Sequence, residues 1–176
     1  EFGKVDPEEL DKIDFHLPKD GKRNKAILDA CKNTEDTATT VYIGCAKWGR
    51  KDWVGKIYPK GTKDGDFLQF YAKQFTTIEL NSTFYQAPNR AQVLHWKSMV
   101  GKDFKFCPKF TQNISHFKRL SNTARETNEF LLAVDAFEEN LGPTWLLLPP
   151  NFSPKSFDVL EKFLKELPQS LQINIE

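Results

Sequence analysis

Glu79 and Asn81 stand two positions apart in TTIELNSTFYQAP (residues 76–88), while Thr76, Ile78 and Leu80 take the other parity. Side chains on a strand alternate between faces, so the carboxylate and the amide share one side and the apolar residues the other. A partly desolvated carboxylate without a cation shifts toward its protonated form, and can then work as a general base or acid. The expected cation is Lys109, at the end of DFKFCPK (residues 103–109). In that stretch Phe104, Phe106 and Pro108 share one parity, and Lys105, Cys107 and Lys109 the other. Lys109 could hold Glu79 in an ion pair, clamp a substrate carboxylate or phosphate, or form a Schiff base if its pKa were depressed.

Further candidates lie in the segments that follow such strands. His116, in TQNISHF, is either an acid/base group or a loop histidine bonded to backbone. Asn81 is an orienting amide that caps loop backbone or touches a ligand. Trp48 and Trp53 flank GRKD, with Tyr58 nearby; such aromatics can stack on sugar or base faces while Arg50 or Lys51 reaches phosphate. The competing expectation is a loop that buries its own aromatics, and Phe84 with Tyr85 pose the same choice. Glu176 closes a third polar row with Gln172 and Asn174. Glu79, His116 and Glu176 would make a mixed nitrogen and oxygen metal set, but no H-x-H or H-E-x-x-H spacing supports it, so no cofactor is expected.

Several regular elements must position these groups. Strand patterns cover residues 41–46, 77–81, 103–109, 144–149 and 171–176, and helical patterns cover 66–75, 89–100, 122–140 and 154–167. A short helix is expected over residues 24–32 of a polar N-terminal extension, residues 1–40, whose Lys19, Lys22, Arg23 and Lys25 read as a solvated basic cluster. Alternating strands and helices specify a parallel sheet. A complete (β/α)8 barrel takes about 250 residues, so length favours an open sheet. The polar rows favour a barrel, because an open α/β sheet covers both faces with helices and would have to bury them. No glycine-rich phosphate loop follows the first strand.

Composition narrows the function classes. The chain of 176 residues is long enough for one full hydrophobic core, and 15 Phe with 4 Trp argue against disorder. A net charge of +1 supplies no global field toward nucleic acid or a membrane surface. With neither a signal-peptide pattern nor a long apolar run, the expectation is a cytoplasmic protein without a membrane partner. The three cysteines, Cys31, Cys45 and Cys107, are too widely spaced for a disulfide framework and read as reduced thiols.

The runs YIGCAKWGRKDWVGKIYP, FLQFYAKQFTTIELNSTFYQAP, FKFCPKF with ISHFKRL, and LGPTWLLLPPNF resemble the Domain of Unknown Function 72 family (YecE-like), from about residue 41 onward. The resemblance implies a TIM-barrel-like fold and no particular reaction. The chain departs from the family pattern in carrying Cys45-Ala46-Lys47-Trp48 where a small residue and Gly-Trp are usual, and Leu147 where a Gln is usual. Family members also continue into an Arg-His-Pro motif and further strands. The expected fold is therefore an incomplete parallel (β/α) barrel of about five strands and four helices over residues 41–176. Its open edges imply edge-strand self-association or missing C-terminal sequence. The expected function is binding of a small polar or anionic metabolite, with acid/base chemistry by Glu79 and Lys109. The alternatives are a non-catalytic nucleic-acid or phosphate-binding module using Arg50, Lys51, Trp48 and Trp53, or an inactive fragment.

Overall fold

The computed structural model describes residues 6–14, 16, 19, 21–31 and 40–176. The chain divides into two units, residues 1–40 and 41–176. In the first, a 3-10 turn spans Pro7–Lys12 and helix α1 spans Lys22–Cys31. Lys19, Lys22, Arg23 and Lys25 are all exposed, as a solvated cluster should be. The backbone N–H of His16 donates to Asp14 Oδ1 at 2.9 Å and its ring Nδ1 lies 2.7 Å from the same oxygen. These two contacts, the backbone bond foremost, hold Asp14 below the usual carboxylate range.

The second unit alternates strand and helix. Its strands are β1 (Gly44–Cys45), β2 (Thr77–Leu80), β3 (Lys105–Pro108), β4 (Thr144–Leu146) and β5 (Ile173–Ile175). Between them run α2 (Phe67–Tyr71), α3 (Ser82–Tyr85), α4 (Arg90–Ser98), α5 (Ala124–Val134) and α6 (Phe157–Glu166). Strands β1, β2 and β3 pair in parallel in that order, and β4 pairs in parallel with β5. Two parallel bridges, Phe106 to Leu141 and Lys109 to Trp145, join the two sheets side by side. Gly142 N–H donates to Phe106 O and Phe110 N–H to Trp145 O across this seam, at 2.8 and 2.9 Å. Glycine suits the close approach at the seam, because a Cβ on Gly142 would lie 2.7 Å from Cys107 Sγ and force a neighbour to shift.

Strand parity decides what is buried. Ile78, Leu80, Phe106 and Leu146 are all at most 2% exposed and point toward the helices. There they meet Tyr71 of α2, Val93 of α4, Phe130 and Val134 of α5, and Phe163 of α6 in one core. Phe106 stacks on Phe137 at 4.6 Å, and Phe110 lies 4.6 Å from Phe130. On the other parity Thr77, Glu79, Lys105, Cys107 and Trp145 are half-buried. Two buried polar groups lock the backbone that feeds the sheet. Tyr71 accepts the Cys45 N–H at 2.6 Å and donates to Thr77 O at 2.9 Å, tying β1 to β2. Asn140, 2% exposed, directs Nδ2 at the carbonyls of Gly101, Lys102 and Phe104 at 2.9, 3.3 and 2.7 Å, fixing the entry to β3.

The observed elements are shorter than their sequence patterns. The first strand keeps two residues of the expected 41–46, and Val41, Tyr42 and Ile43 are 68%, 43% and 65% exposed. The expected helix over 122–140 breaks after Val134 into a 3-10 turn, Asp135–Asn140, with Glu138 at a φ of 49°. The short α3 and a π-helical turn at Asn113–Phe117 had no sequence counterpart. The fold is mixed α/β with parallel sheets. Among the described residues β1 pairs with β2 and β5 with β4, and the two do not meet, so no closed barrel forms. Closing a barrel of this kind takes about eight tilted strands.

Candidate functional site

The register of β2 on β3 sets Glu79 beside Cys107 and Leu80 beside Pro108, which leaves Lys109 one step beyond the ladder. Lys109 Nζ lies 2.6 Å from Glu79 Oε1 and 3.6 Å from Glu176 Oε2. Three strand ends thus contribute one side chain each to a single ionic cluster at the carboxyl edge of the sheet. The lysine side chain is 9% exposed, Glu79 35% and Glu176 55%, so the cation is buried beneath carboxylates that reach solvent. A group flanked in this way can pass a proton between lysine and carboxylate, or offer carboxylate oxygens to a ligand.

Thr83 holds this cluster in place and was not singled out from the sequence. Its buried Oγ1 sits 2.8 Å from both Leu80 O and Lys109 O and accepts the Lys109 N–H at 2.8 Å. One hydroxyl therefore clasps the ends of β2 and β3. The signal was present in the sequence as an S-T pair directly after a strand, where hydroxyls commonly bond nearby backbone. Asn81 donates from Nδ2 to Ala46 O at 3.5 Å, reaching the loop after β1.

His116 lies in the π-helical turn after β3. Its Nδ1 is 2.9 Å from Ser115 Oγ, and its ring meets Phe84 edge-on at 5.1 Å. Burial first, and Arg119 second, push its pKa below the ordinary 6.5. Arg119 is a second residue that sequence reading missed. Its Nη1 donates to Asn151 Oδ1 at 2.8 Å and its guanidinium lies 5.8 Å from the Phe152 ring, so the loops after β3 and β4 are joined. Arg119, Leu120 and Asn122 adopt φ of 50°, 63° and 54°, a left-handed run that only a packed loop maintains.

The other predicted site residues do not join the ionic cluster by any contact among the described residues. Trp48 packs edge-on against Trp96 at 5.6 Å, and its carbonyl accepts the Tyr58 hydroxyl at 2.7 Å. Trp53 stacks against Tyr71 and packs on Phe75. Arg50 engages Asp52 through Nε and Nη2 at 2.9 and 2.7 Å, which draws Asp52 down to about 2. Lys51 pairs with Asp64 at 3.2 Å. Tyr85 is 72% exposed and meets Phe84 edge-on at 5.4 Å. Burial pushes the Cys107 thiol pKa up, and its Sγ lies 3.4 Å from Thr77 Oγ1. The side chain of Cys31 lies outside the described residues. Among the described residues no group of three His, Cys, Asp or Glu side chains could hold a metal ion, and no helix is long and apolar enough to cross a membrane.

The family model described as "Protein of unknown function DUF72" matches residues 42–176. The chain belongs to the DUF72 family. Among relatives of this DUF72 chain, the UPF0759 protein YecE of Escherichia coli strain K12 is 32% identical over 136 residues, 77% of this chain and 47% of YecE. The UPF0759 protein YunF of Bacillus subtilis strain 168 is 29% identical over 103 residues, 58% of this chain and 34% of YunF. The chain thus spans about half, or less, of the length of the curated relatives it matches. A crystal structure of a DUF72 family protein from Thermotoga maritima MSB8 superposes with a TM-score of 0.64 at 27% identity, covering 78% of this chain and 56% of that one. A DUF72 family protein from Enterococcus faecalis V583 gives 0.59 at 20% identity, covering 77% and 50%. That second likeness concerns the fold alone.

Proposed function

We propose that this DUF72 chain forms part of a TIM-barrel-like pocket that binds a small polar or anionic metabolite at the carboxyl ends of its strands. In this reading Glu79 accepts a proton from the bound metabolite and Lys109 supplies one, or the charge that offsets the resulting anion. A single observation supports it: Lys109 Nζ, buried at a strand end, lies 2.6 Å from Glu79 Oε1. That distance permits direct proton exchange between them without an intervening water. Asn81 orients the ligand from the neighbouring position, and His116 is a second acid/base group that the loop after β3 brings to the same end of the sheet. The ligand-binding set is completed by Glu176 just past β5, Tyr85 at the end of α3, and Trp48 and Arg50 in the loop after β1, Arg50 by exchanging its contact with Asp52 for the ligand. No resident metal or cofactor enters the scheme, and the compartment is taken as the cytoplasm.

The nucleic-acid alternative has less behind it. Arg50 already engages Asp52 with two nitrogens and Lys51 pairs with Asp64, so both cations would have to give up a carboxylate to reach a phosphate. The test is a binding screen by calorimetry against sugars, sugar phosphates and small carboxylic acids, repeated with Glu79→Gln and Lys109→Met. Loss of a detected ligand in both variants, with folding intact by circular dichroism, is the expected result. A ligand that binds both variants as tightly as the parent chain would remove the pair from the site.

A further inference from the structure

Two carboxylates converge on one ammonium at the strand ends, so the formal charge of the trio is negative. Lys109 is 9% exposed and lies 2.6 Å from Glu79 and 3.6 Å from Glu176. An incoming phosphate or carboxylate would have to displace a carboxylate fixed on β2 while facing the second one just past β5. A cationic ligand reaching either carboxylate would meet the Lys109 ammonium a few ångströms behind it. Hydroxyl donors meet neither penalty. Each carboxylate offers up to about four lone-pair sites, of which the lysine occupies few, and O–H donors to carboxylates make short, strong hydrogen bonds.

A second observation at the same end of the molecule agrees. Tyr85 on α3 is 72% exposed and adjoins Phe84, whose ring in turn meets His116. This row of rings stands directly after Thr83, whose hydroxyl is bonded to the Lys109 backbone. Carboxylate acceptors at the strand ends, with exposed aromatic surface on the helix that follows β2, suit a ring with hydroxyls on its edge and C–H groups on its face. Of the two cations in the loop after β3, Lys118 pairs with Glu126 at 2.6 Å and Arg119 is turned onto Asn151 at 2.8 Å.

We infer that the strand-end site takes an uncharged, polyhydroxylated ring of monosaccharide type, held by Glu79 and Glu176 through its hydroxyls and covered by Tyr85. The inference rests on the proposed binding function and narrows it to one charge class. The experiment titrates the full chain with neutral pentoses and hexoses, with their phosphate monoesters, and with putrescine, each at low and high salt. Saturable binding of a neutral sugar is expected, indifferent to salt, and weakened about tenfold or more by Glu79→Gln and by Tyr85→Ala. Tyr85→Ala alters an exposed side chain and keeps the result interpretable if Glu79→Gln fails to fold. Binding of only the phosphate esters, falling steeply with salt, overturns the neutral-ring assignment while leaving the general binding function standing; binding of putrescine alone does the same. Absence of binding by all three classes overturns both. Sugar binding unmoved by both variants places the sugar elsewhere and overturns the inference.

Discussion

Removing one member of the Glu79–Lys109 pair does not cost the same from either side. Lys109 is 9% exposed and Glu79 35%, so deleting the carboxylate leaves a buried cation with only the longer contact to Glu176, whereas deleting the lysine leaves a carboxylate that water reaches. Glu79→Gln is therefore expected to destabilise the chain by about 1–2 kcal/mol, and Lys109→Met by less than about 1 kcal/mol, measured by urea denaturation. Equal losses would mean that the lysine is better solvated than its surroundings imply. His116 adds a pH dependence. Its folded pKa lies below the ordinary 6.5, so the unfolded chain binds the proton more readily. The stability contributed by neutral His116 is fully present above 6.5 and is lost as pH falls through 6.5 toward the depressed folded value. The urea midpoint should drop between about pH 7.5 and pH 5.5, and drop less in His116→Gln. The sequence made the Glu79 and Lys109 pairing legible through strand order and parity together: consecutive strands neighbour each other in a parallel sheet, and a strand period of two fixes the face. It could not reveal that Arg50 would turn back onto Asp52, since such a contact depends on a turn conformation that carries no periodic signal.

At the level of elements, α3 does more than connect. Thr83 closes the end of β2 onto the start of the loop after β3 with three contacts from one hydroxyl. Thr83→Val keeps the shape and removes them, leaving a buried Lys109 N–H and whichever of the two carbonyls holds the hydroxyl proton short of a partner. The expected cost is about 2–3 kcal/mol, with faster hydrogen exchange at the Lys109 amide than at Phe106, read by NMR. If exchange at Lys109 is unchanged, the clasp is not what orders the strand end. Long elements such as α5 and α6 were legible because their apolar stripes persist for several turns. The four residues of α3 and the five of the π-helical turn are too short to display a period, and their stability comes from tertiary bonds. The first strand was over-read for a related reason: the β-branched Val41 and Ile43 favour extension, but of the two, among the described residues, only Ile43 is bonded to the neighbouring segment, at Thr76 just ahead of β2.

At the scale of the whole 41–176 unit, the seam between the β1–β3 sheet and the β4–β5 sheet rests on isolated bridges rather than on a continuous ladder. Two isolated bridges and the absence of a side chain at Gly142 keep it closed. Gly142→Ala would push a methyl group into Cys107 Sγ and the Phe106 carbonyl. A loss of about 2–4 kcal/mol is expected by thermal or chemical denaturation, with a lowered slope if the two sheets then unfold separately. A parallel order of strands was readable from the strand–helix alternation. That seam was not, because a glycine before a proline reads as a helix stop and says nothing of which backbone approaches it. Asn140, just upstream, carries a consequence of another kind. Its amide nitrogen faces three carbonyl oxygens, so hydrolysis of that amide during ageing would set a carboxylate against three acceptors. A clamp would become a wedge at the root of β3, and the lifetime of the fold would then be limited by the chemistry of one side-chain nitrogen.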